Sequence, residues 1–310
     1  MIITLTPNPS VDQTLFVHQL EVNDVNRYAD SQLDPAGKGI NVSRMAHRLG
    51  WPTIAFGFLG GEIGVIAERA LDGEGVPHHF VFVPGQTRLN VTVVDESQRT
   101  STSFYGPGPS VALDRLATLD GLLRFWLRAG RVLVLAGSLP PSVPDGLHAG
   151  YVRLAQAEGV VTILDADGEA FRLGVEAGPS LIKPNREEAE RLLGRPLADT
   201  PAVVDGAREL VARGIPMVVI SLGSEGAICA DSRGVWHAIP PEIESRSTVG
   251  SGDSLVAGLA VALARGDDIV EGLRLGTAAG AATAMTPGTS LGTDEEVYAL
   301  LPHVRVERVG

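Results

Sequence analysis

The segment Ser247–Ser254 has the residue types best suited to chemistry in this sequence. It reads Ser-Thr-Val-Gly-Ser-Gly-Asp-Ser, and a helix is expected to begin within it. Three or four consecutive backbone N–H groups at a helix start would form an anion hole. The carboxylate of Asp253 would lie at its mouth, where it could accept a proton from an attacking hydroxyl during phosphoryl transfer. The alternative is that Asp253 only complements the helix dipole.

Lysine is rare in this chain. Of the 25 basic residues, only Lys38 and Lys183 are lysines, and both fall in candidate loops. Lys38 lies between Gly37 and Gly39, and backbone without Cβ atoms can approach a ligand closely. A compact ammonium suits such a loop better than a planar guanidinium. We therefore expect Lys38 to contact a phosphate.

The segment after Lys183 reads Pro-Asn-Arg-Glu-Glu and begins a predicted helix. Asn185 followed three residues later by Glu188 is typical of a helix N-cap with its reciprocal capping residue. The same two side chains could instead orient waters around Mg²⁺ on nucleotide phosphates. The two interpretations are compatible with each other.

Two further polar groups come from stretches that resemble strands. Arg88 and Asn90 would lie on one face of a strand, because strand side chains alternate. They could clamp a sugar phosphate, or Arg88 could be a solvated surface residue. Asp12 follows Asn8-Pro9-Ser10 and could bind sugar hydroxyls, or it could be a turn residue.

Apolar runs of strand length alternate with segments of helical period from about Gly39 onward. The predicted pairs are Thr53–Leu59 with Glu62–Leu71 and Arg131–Leu135 with Pro144–Ala157, followed by the strands Val160–Leu164 and Met217–Ile220. Three helical segments close the chain, namely Ser254–Arg265, Asp267–Thr286 and Asp294–Leu301. This alternation favours a parallel sheet sandwiched between helices.

Two stretches, Gln13–Leu33 and Thr87–Tyr105, break this alternation. Both show the period-2 pattern of strands, with no helix between those strands. They predict a small β-sheet that projects from the α/β body and serves as a lid or a dimer surface.

Composition excludes several classes of protein. The chain has 310 residues, a formal net charge of −12 and no Lys/Arg-rich run, so nucleic acid is not an expected partner. The one cysteine, Cys229, and the histidines lack the spacing of a zinc site, and a reducing cytoplasm is expected. No apolar run is long enough to span a membrane. A nicotinamide dehydrogenase and a P-loop NTPase are disfavoured, because neither glycine signature is present.

In their order along the chain, these segments resemble the PfkB carbohydrate kinase family, which includes the ribokinase-like sugar kinases. The two most diagnostic stretches are Gly-Lys-Gly-Ile-Asn-Val at 37–42 and Ser-Thr-Val-Gly-Ser-Gly-Asp-Ser at 247–254. The resemblance covers essentially the whole chain. It implies one kinase domain over 1–310 with a ribokinase-like three-layer α/β/α fold, a mainly parallel central sheet and protruding lid strands at about 11–34 and 86–106.

Site roles follow from the resemblance, position by position. It implies that Asp253 is the catalytic base and that Gly250, Ser251 and Gly252 supply the anion hole. The implied sugar-phosphate site contains Asp12, Gly37, Lys38, Gly39, Asn41, Arg88, Asn90 and Ser138, with Arg27 reaching it from the lid or into a partner's site. The implied ATP site contains Lys183, Asn185, Glu188, Ser221, Gly223 and Gly226, of which Asn185 and Glu188 organise Mg²⁺, through water.

The substrate is narrowed by the same resemblance. The Gly-Lys-Gly-Ile-Asn and Thr-Arg-x-Asn forms are similar to the branch that acts on fructose 1-phosphate or tagatose 6-phosphate, whereas relatives acting on fructose 6-phosphate typically have glycine at position 38. We therefore expect transfer from ATP to fructose 1-phosphate, by a homodimer paired through its lid. The alternatives are tagatose 6-phosphate, fructose 6-phosphate, an unphosphorylated sugar or nucleoside, or a non-catalytic sugar-phosphate sensor.

Two positions depart from the family pattern. The family usually has alanine where Ser251 stands, and glycine where Ala36 stands. An anion hole uses backbone N–H groups, so a serine adds a hydroxyl without removing a donor. We expect activity to survive both changes.

Overall fold

A computed structural model of the chain describes residues 1–98, 100–127 and 132–310. Arg131, the predicted start of the strand Arg131–Leu135, lies outside these ranges. The strands are β1 (Ile2–Thr6), β2 (Ser10–Val17), β3 (Asp30–Ala36), β4 (Thr53–Leu59), β5 (His78–Phe82), β6 (Arg88–Asp95), β7 (Thr100–Phe104), β8 (Val132–Ala136), β9 (Val161–Asp165), β10 (Leu181–Ile182), β11 (Met217–Ser221), β12 (Ala227–Asp231), β13 (Gly234–Ile239) and β14 (Arg305–Arg308). The helices are α1 (Lys38–Arg48), α2 (Gly61–Glu74), α3 (Leu113–Leu127), α4 (Leu147–Ala157), α5 (Gly168–Glu176), α6 (Arg186–Leu193), α7 (Thr200–Ala212), α8 (Ser251–Arg265), α9 (Ile269–Ala284) and α10 (Asp294–Leu300). Within the described ranges, none of these helices combines the length and apolarity needed to cross a membrane.

The large sheet has ten strands in the order β14-β13-β12-β11-β10-β9-β8-β1-β4-β5. From β11 to β5 every neighbouring pair is parallel, whereas β11 to β14 pair antiparallel. Parallel strands need long crossover connections, and the chain supplies them with helices. The carboxyl ends of the parallel strands therefore meet at one edge of the sheet.

Apolar side chains alternate between the two faces of the large sheet. On β8, Leu133 and Leu135 belong to one buried cluster, whereas Val132 and Val134 belong to another. The first cluster includes side chains of α3 to α7, and the second includes side chains of α1, α8, α9 and α10. Two helical layers thus enclose one sheet, and the predicted three-layer α/β/α fold class is confirmed.

The small sheet has the strand order β3-β2-β6-β7. Its central pair, β2 and β6, is parallel, and both outer pairs are antiparallel. Val11 of β2 packs against Leu59 and against Ala67 of α2, which anchors one end of the sheet to the body. The four strands come from the two stretches that interrupt the strand–helix alternation.

Candidate active site

The candidate site residues gather where parallel strands end. Ser138 follows β8, Asp165 is the last residue of β9, and Lys183 directly follows β10. Ser221 ends β11, and it bridges to Asn185. In open α/β sheets, ligands bind at the carboxyl ends of the strands, so this edge is the expected place for a site.

Asp253 lies in the first turn of α8 and is 8% exposed. Its Oδ2 accepts a 2.8 Å hydrogen bond from Nδ2 of Asn41, which lies on α1. Burial, and after it the charge of Asp165, raises the pKa of Asp253 to about 7, although Asn41, Lys38 and Lys183 act to lower it. A carboxylate with such a pKa can accept a proton from a hydroxyl near neutral pH.

The start of α8 presents backbone donors beside this carboxylate. Among the residues that the structure describes, the N–H groups of Gly250, Gly252 and Asp253 have no acceptor. The N–H of Ser251 instead donates to the carbonyl of Thr248 over 3.4 Å. Two of the three predicted donors, Gly250 and Gly252, therefore have a free N–H, the N–H of Ser251 is engaged, and the N–H of Asp253 is free in addition. Free N–H groups at a helix start attract an anion.

Four charged side chains are joined by ion pairs across the floor of the site. Lys38 Nζ lies 3.1 Å from Asp165 Oδ1 and 3.0 Å from Asp167 Oδ1. Lys183 Nζ lies 3.3 Å from Asp165 Oδ2, and 3.7 Å from where a Cβ on Gly252 would stand. Burial acts to raise the pKa of Asp165, but the two lysines outweigh it and hold that pKa below its usual value. The Lys183 ammonium therefore lies close to the free N–H of Gly252, and the Lys38 ammonium is linked to it through Asp165. Positive charge beside free N–H groups suits a bound polyphosphate.

Asn185 and Glu188 form a reciprocal capping box at the start of α6. The Asn185 N–H donates to Glu188 Oε2, and the Glu188 N–H donates to Asn185 Oδ1, each over 2.8 Å. The described part of the chain contains no group of three or more His, Cys, Asp or Glu arranged to hold a metal. Mg²⁺ keeps several waters and binds through one or two carboxylates and substrate phosphates, so it does not need a cluster of that kind. Glu188 is the residue that would hold such an ion through water.

The N-terminus of α1 forms the opposite wall of the site. Gly37, its N-cap, has φ 126°, and a Cβ there would lie 2.8 Å from Thr6 Cγ2. An L-residue with a side chain would be strained at this φ as well as crowded. Gly37 thus allows the backbone conformation with which the chain enters α1, the helix that carries Lys38 and Asn41.

Arg88 lies between the small sheet and the large one. Its Nη2 donates to the carbonyl of Asn8 over 2.8 Å, and its Nη1 lies 3.5 Å from the carbonyl of Gly106. The Nε of Arg88 and the Oδ1 of Asn8 are buried without a partner among the described residues. Asn8 Nδ2 in turn lies 3.4 Å from Ser138 Oγ. Burial lowers the pKa of Arg88 below its usual value, more than nearby carboxylates raise it.

Asp12 and Asn90 are paired neighbours on β2 and β6. Asp12 Oδ1 accepts 2.8 Å hydrogen bonds from Asn90 Nδ2 and from Ser10 Oγ. Burial raises the pKa of Asp12, and the two hydrogen bonds oppose that rise. The predicted face shared by Arg88 and Asn90 therefore carries Asp12 as well, as a polar strip facing sugar hydroxyls in our interpretation.

Not every predicted residue joins this cluster. Gly223 begins a 3-10 turn, Gly223–Glu225, after Ser221. A Cβ on Gly226 would lie 1.9 Å from the carbonyl of Ala238, so packing alone requires glycine there. Arg27 lies in the exposed loop between β2 and β3, and none of the contacts described above includes it.

The structure also brings in residues to which the sequence analysis assigned no role. They are Thr6, Asn8, Asp165, Asp167 and His148. Buried polar atoms without a partner in the described ranges include Thr6 Oγ1, Asn41 Oδ1 and Ser251 Oγ, all on the segments that form this site. Buried polar groups are normally hydrogen-bonded, so such atoms indicate a place for a polar ligand. The signal that could have found Asp165 is its position at the end of a predicted parallel strand.

Comparisons with known proteins agree with this geometry. A family model described as pfkB family carbohydrate kinase matches residues 6–296. The 1-phosphofructokinase of Bacillus subtilis (strain 168) is 35% identical over 313 residues, covering 100% of both chains. The crystal structure of phosphofructokinase-2 from Escherichia coli in complex with substrates and products superposes with a TM-score of 0.92 at 33% identity, covering 97% of this chain and 98% of that one. The tetrameric inhibited form of phosphofructokinase-2 from Escherichia coli superposes with a TM-score of 0.89 at 32% identity, with the same coverage.

The chain therefore belongs to the pfkB family of carbohydrate kinases, as the segments 37–42 and 247–254 predict. It is an enzyme of the phosphotransferase class, and the alternative of a dehydrogenase is wrong. Family membership implies ATP as the phosphoryl donor.

Proposed function

We propose that this enzyme transfers the γ-phosphoryl group of ATP to fructose 1-phosphate, giving fructose 1,6-bisphosphate and ADP. The observation that carries the proposal is the buried carboxylate of Asp253, with a pKa of about 7, beside free N–H groups at the start of α8. The relative from Bacillus subtilis, which is named 1-phosphofructokinase and matches this chain over its full length, supports this choice of substrate.

In the proposed reaction, the free primary hydroxyl of the sugar attacks the γ-phosphorus of ATP in line with the leaving group. The new P–O bond forms, the bond to the β-phosphate oxygen breaks, and Asp253 takes the hydroxyl proton. The N–H groups of Gly250, Gly252 and Asp253 stabilise charge on the transferring group. Lys183 would neutralise charge on the nucleotide phosphates, and Lys38 would neutralise charge on the phosphate of the sugar. Mg²⁺, when bound, neutralises charge on the β- and γ-phosphates.

The sugar phosphate is assigned to the space between α1 and the small sheet. Asp12 and Asn90 would bind its hydroxyls, and Arg88 with Ser138 would lie toward its own phosphate, because an arginine fork matches phosphate geometry. Gly37 and Gly39 would let the backbone approach it. The nucleotide would lie along Ser221, Gly223, Asn185 and Glu188. Arg27 has no assigned contact.

Tagatose 6-phosphate and fructose 6-phosphate are the alternative acceptors.

We further propose a homodimer formed through the small sheet, which acts as a lid over the sugar. Leu33, Leu89 and Phe104 are exposed on its face opposite Asp12, at 48%, 38% and 62%. An exposed apolar face of this kind marks an interaction surface. Light scattering at micromolar protein should give twice the chain mass of 32.5 kDa, and a monomeric mass would contradict it.

We also propose that residues 1–310 form one domain and that the protein is cytoplasmic, a location favoured by its single cysteine.

Product analysis tests the proposed reaction. With Mg·ATP and fructose 1-phosphate, phosphorus NMR should show one new phosphate monoester on the sugar for each ADP released. Absence of a new monoester with every ketose phosphate offered would instead favour a non-catalytic sensor.

A further inference from the structure

A hydrogen-bonded cluster outside the proposed site joins β3 of the small sheet to the loop after α9. Asp34 Oδ2 accepts hydrogen bonds from Thr289 Oγ1 over 2.7 Å and from Gln32 Nε2 over 2.8 Å. Gln32 Nε2 also donates to Ser290 Oγ. These four residues, Gln32, Asp34, Thr289 and Ser290, are called the β3 bridge below.

The β3 bridge is partly buried, and a neighbouring arginine supports it electrostatically. Thr289 is 5% exposed, and the Asp34 side chain is 12% exposed. Arg44 of α1 reaches the same point, with its Nη2 3.7 Å from Asp34 Oδ1 and its Nη1 donating to the carbonyl of Pro35 over 3.0 Å. Hydrogen bonds to a carboxylate are stronger than neutral ones, especially away from water. The bond between Asp34 and Thr289 is therefore a firm connection between two segments 255 positions apart.

The loop after α9, which contributes Thr289 and Ser290 to the β3 bridge, also contacts the segment that leads into α8. Ser247 Oγ donates to the carbonyl of Gly288 over 2.6 Å. The N–H groups of Arg246 and Ser247 donate to the carbonyl of Ala284 over 2.8 and 3.2 Å. This segment continues into Gly250 and the free N–H groups described above. The loop after α9 thus contacts both the small sheet and the segment that precedes the free N–H groups of α8.

On its near side, the β3 bridge lies on the strand that leads into the sugar site. Asp34 is paired with Asp12 across β2 and β3, and β3 ends at Ala36, directly before Gly37. Any shift of β3 relative to the loop would therefore move the proposed sugar contacts relative to the proposed phosphoryl contacts. In-line transfer tolerates little misplacement of the reacting groups.

We propose that the hydrogen bond between Asp34 and Thr289 is a positioning contact, which fixes the small sheet and its bound sugar in register with the anion hole at α8. This inference rests on the proposed function, in that the sugar lies against the small sheet. Neither residue is among those assigned to a substrate under the proposed function. Each acts through the segment to which it belongs, Asp34 through β3 and Thr289 through the loop after α9.

The test is a double-mutant cycle on the full-length enzyme with Thr289→Val, Asp34→Ala and the double variant. We expect each single change to lower kcat/KM for the ketose phosphate roughly tenfold, within the range of a hydrogen bond to a charged group. The double variant should lose no more than Asp34→Ala alone, because Thr289 acts only through its bond to Asp34, whereas Asp34 also contacts Gln32 and Arg44. KM for ATP should change less than twofold. Thr118→Val, on the exposed face of α3, is the matched control and should match the unaltered enzyme.

Two further readouts separate positioning from stability. Thr289→Ser keeps the hydroxyl, and it should restore kcat/KM to within twofold of the unaltered enzyme. In Thr289→Val, the N–H groups of Arg246 and Ser247 should exchange with solvent about tenfold faster, since the loop loosens directly after Ala284, whose carbonyl at the end of α9 accepts both hydrogen bonds.

Several results would overturn the positioning role. They are kcat/KM values of the single variants equal to that of the unaltered enzyme, losses that multiply in the double variant, or no rescue by Thr289→Ser. Unchanged exchange at Arg246 and Ser247 would overturn it as well. Lack of any ketose-phosphate activity in the unaltered enzyme would instead refute the proposed function, and the exchange measurement would then still decide whether the β3 bridge holds the loop.

Discussion

The side-chain amide of Asn41 donates a 2.8 Å hydrogen bond to Oδ2 of Asp253, across 212 positions of the chain. Asn41 lies near the start of α1 and Asp253 in the first turn of α8, so the bond ties together two helix N-termini at the same edge of the sheet. It occupies one carboxylate oxygen. In our account, the other oxygen takes the proton from the sugar hydroxyl.

Replacing Asp253 tests this role directly. Asp253→Asn should lower kcat by ~10²–10⁴, because it removes the proton acceptor while keeping the shape of the side chain. Affinity for ATP, measured by titration calorimetry, should stay nearly unchanged. Asp205→Asn, an exposed change on α7, is the control and should retain full turnover. Unchanged turnover in Asp253→Asn would refute the assignment of the base.

The pH profile should report the same group. Burial and Asp165 raise the pKa of Asp253 to about 7, so kcat/KM should fall as the pH drops below about 7 and the base becomes protonated. Asp165→Asn removes a negative neighbour, and the acidic limb should then move to lower pH. A limb that stays in place in Asp165→Asn would assign it to ionisation of the substrate phosphate instead.

These residues show how far the sequence alone could lead. The strand–helix alternation predicts the three-layer fold, because burying both faces of a parallel sheet requires it. The glycine-rich run before Asp253 likewise predicts a helix start with a carboxylate, since that signal is local. The partners of Lys38 could not be predicted, because its ion pairs with Asp165 and Asp167 join segments 127 and 129 positions apart.

Gly226 has a reason to be glycine that the sequence does not show. A glycine in a loop after a parallel strand is typical of a nucleotide contact, and here the carbonyl of Ala238 also excludes any side chain. Only tertiary packing reveals this second reason. The same holds for the pKa of Asp253, which depends on burial rather than on neighbours in sequence.

Replacing Lys38 should change KM for the ketose phosphate more than KM for ATP. In the structure, two of its three ammonium protons are directed to Asp165 and Asp167. Lys38→Ala should raise KM for the ketose phosphate much more than KM for ATP, with Lys38→Arg intermediate because the charge is kept but the shape is not. Steady-state kinetics with each substrate varied in turn measures both constants. Equal effects on the two would mean that Lys38 is structural or contacts the nucleotide.

His148 should make stability depend on pH. It is fully buried, with Nε2 3.3 Å from the carbonyl of Gly137, and burial lowers its pKa to about 4. The unfolded chain therefore binds a proton between about pH 6.5 and pH 4 that the folded chain does not, and stability falls as the pH falls through this window. Relative to His148→Gln, the unaltered protein should lose about 3 kcal/mol of unfolding free energy between pH 7 and pH 4.

Denaturant titrations at several pH values measure this difference. Asp253, whose pKa is raised, makes stability rise as the pH falls over an overlapping pH range. The difference between the unaltered protein and His148→Gln therefore isolates the contribution of His148, whereas the pH dependence of one protein alone does not. His303→Gln, at an exposed position, should track the unaltered protein at every pH. A constant difference between the unaltered protein and His148→Gln would contradict the burial of a neutral histidine.

The most direct test of the central claim is kcat/KM with Mg·ATP for fructose 1-phosphate, fructose 6-phosphate, tagatose 6-phosphate and free fructose, followed by ADP release. We predict a preference of ~100-fold for fructose 1-phosphate, which corresponds to about 2.7 kcal/mol of differential transition-state binding. A comparable preference for another of these acceptors would contradict the proposed substrate, and no ADP release with any of them would contradict the proposed reaction.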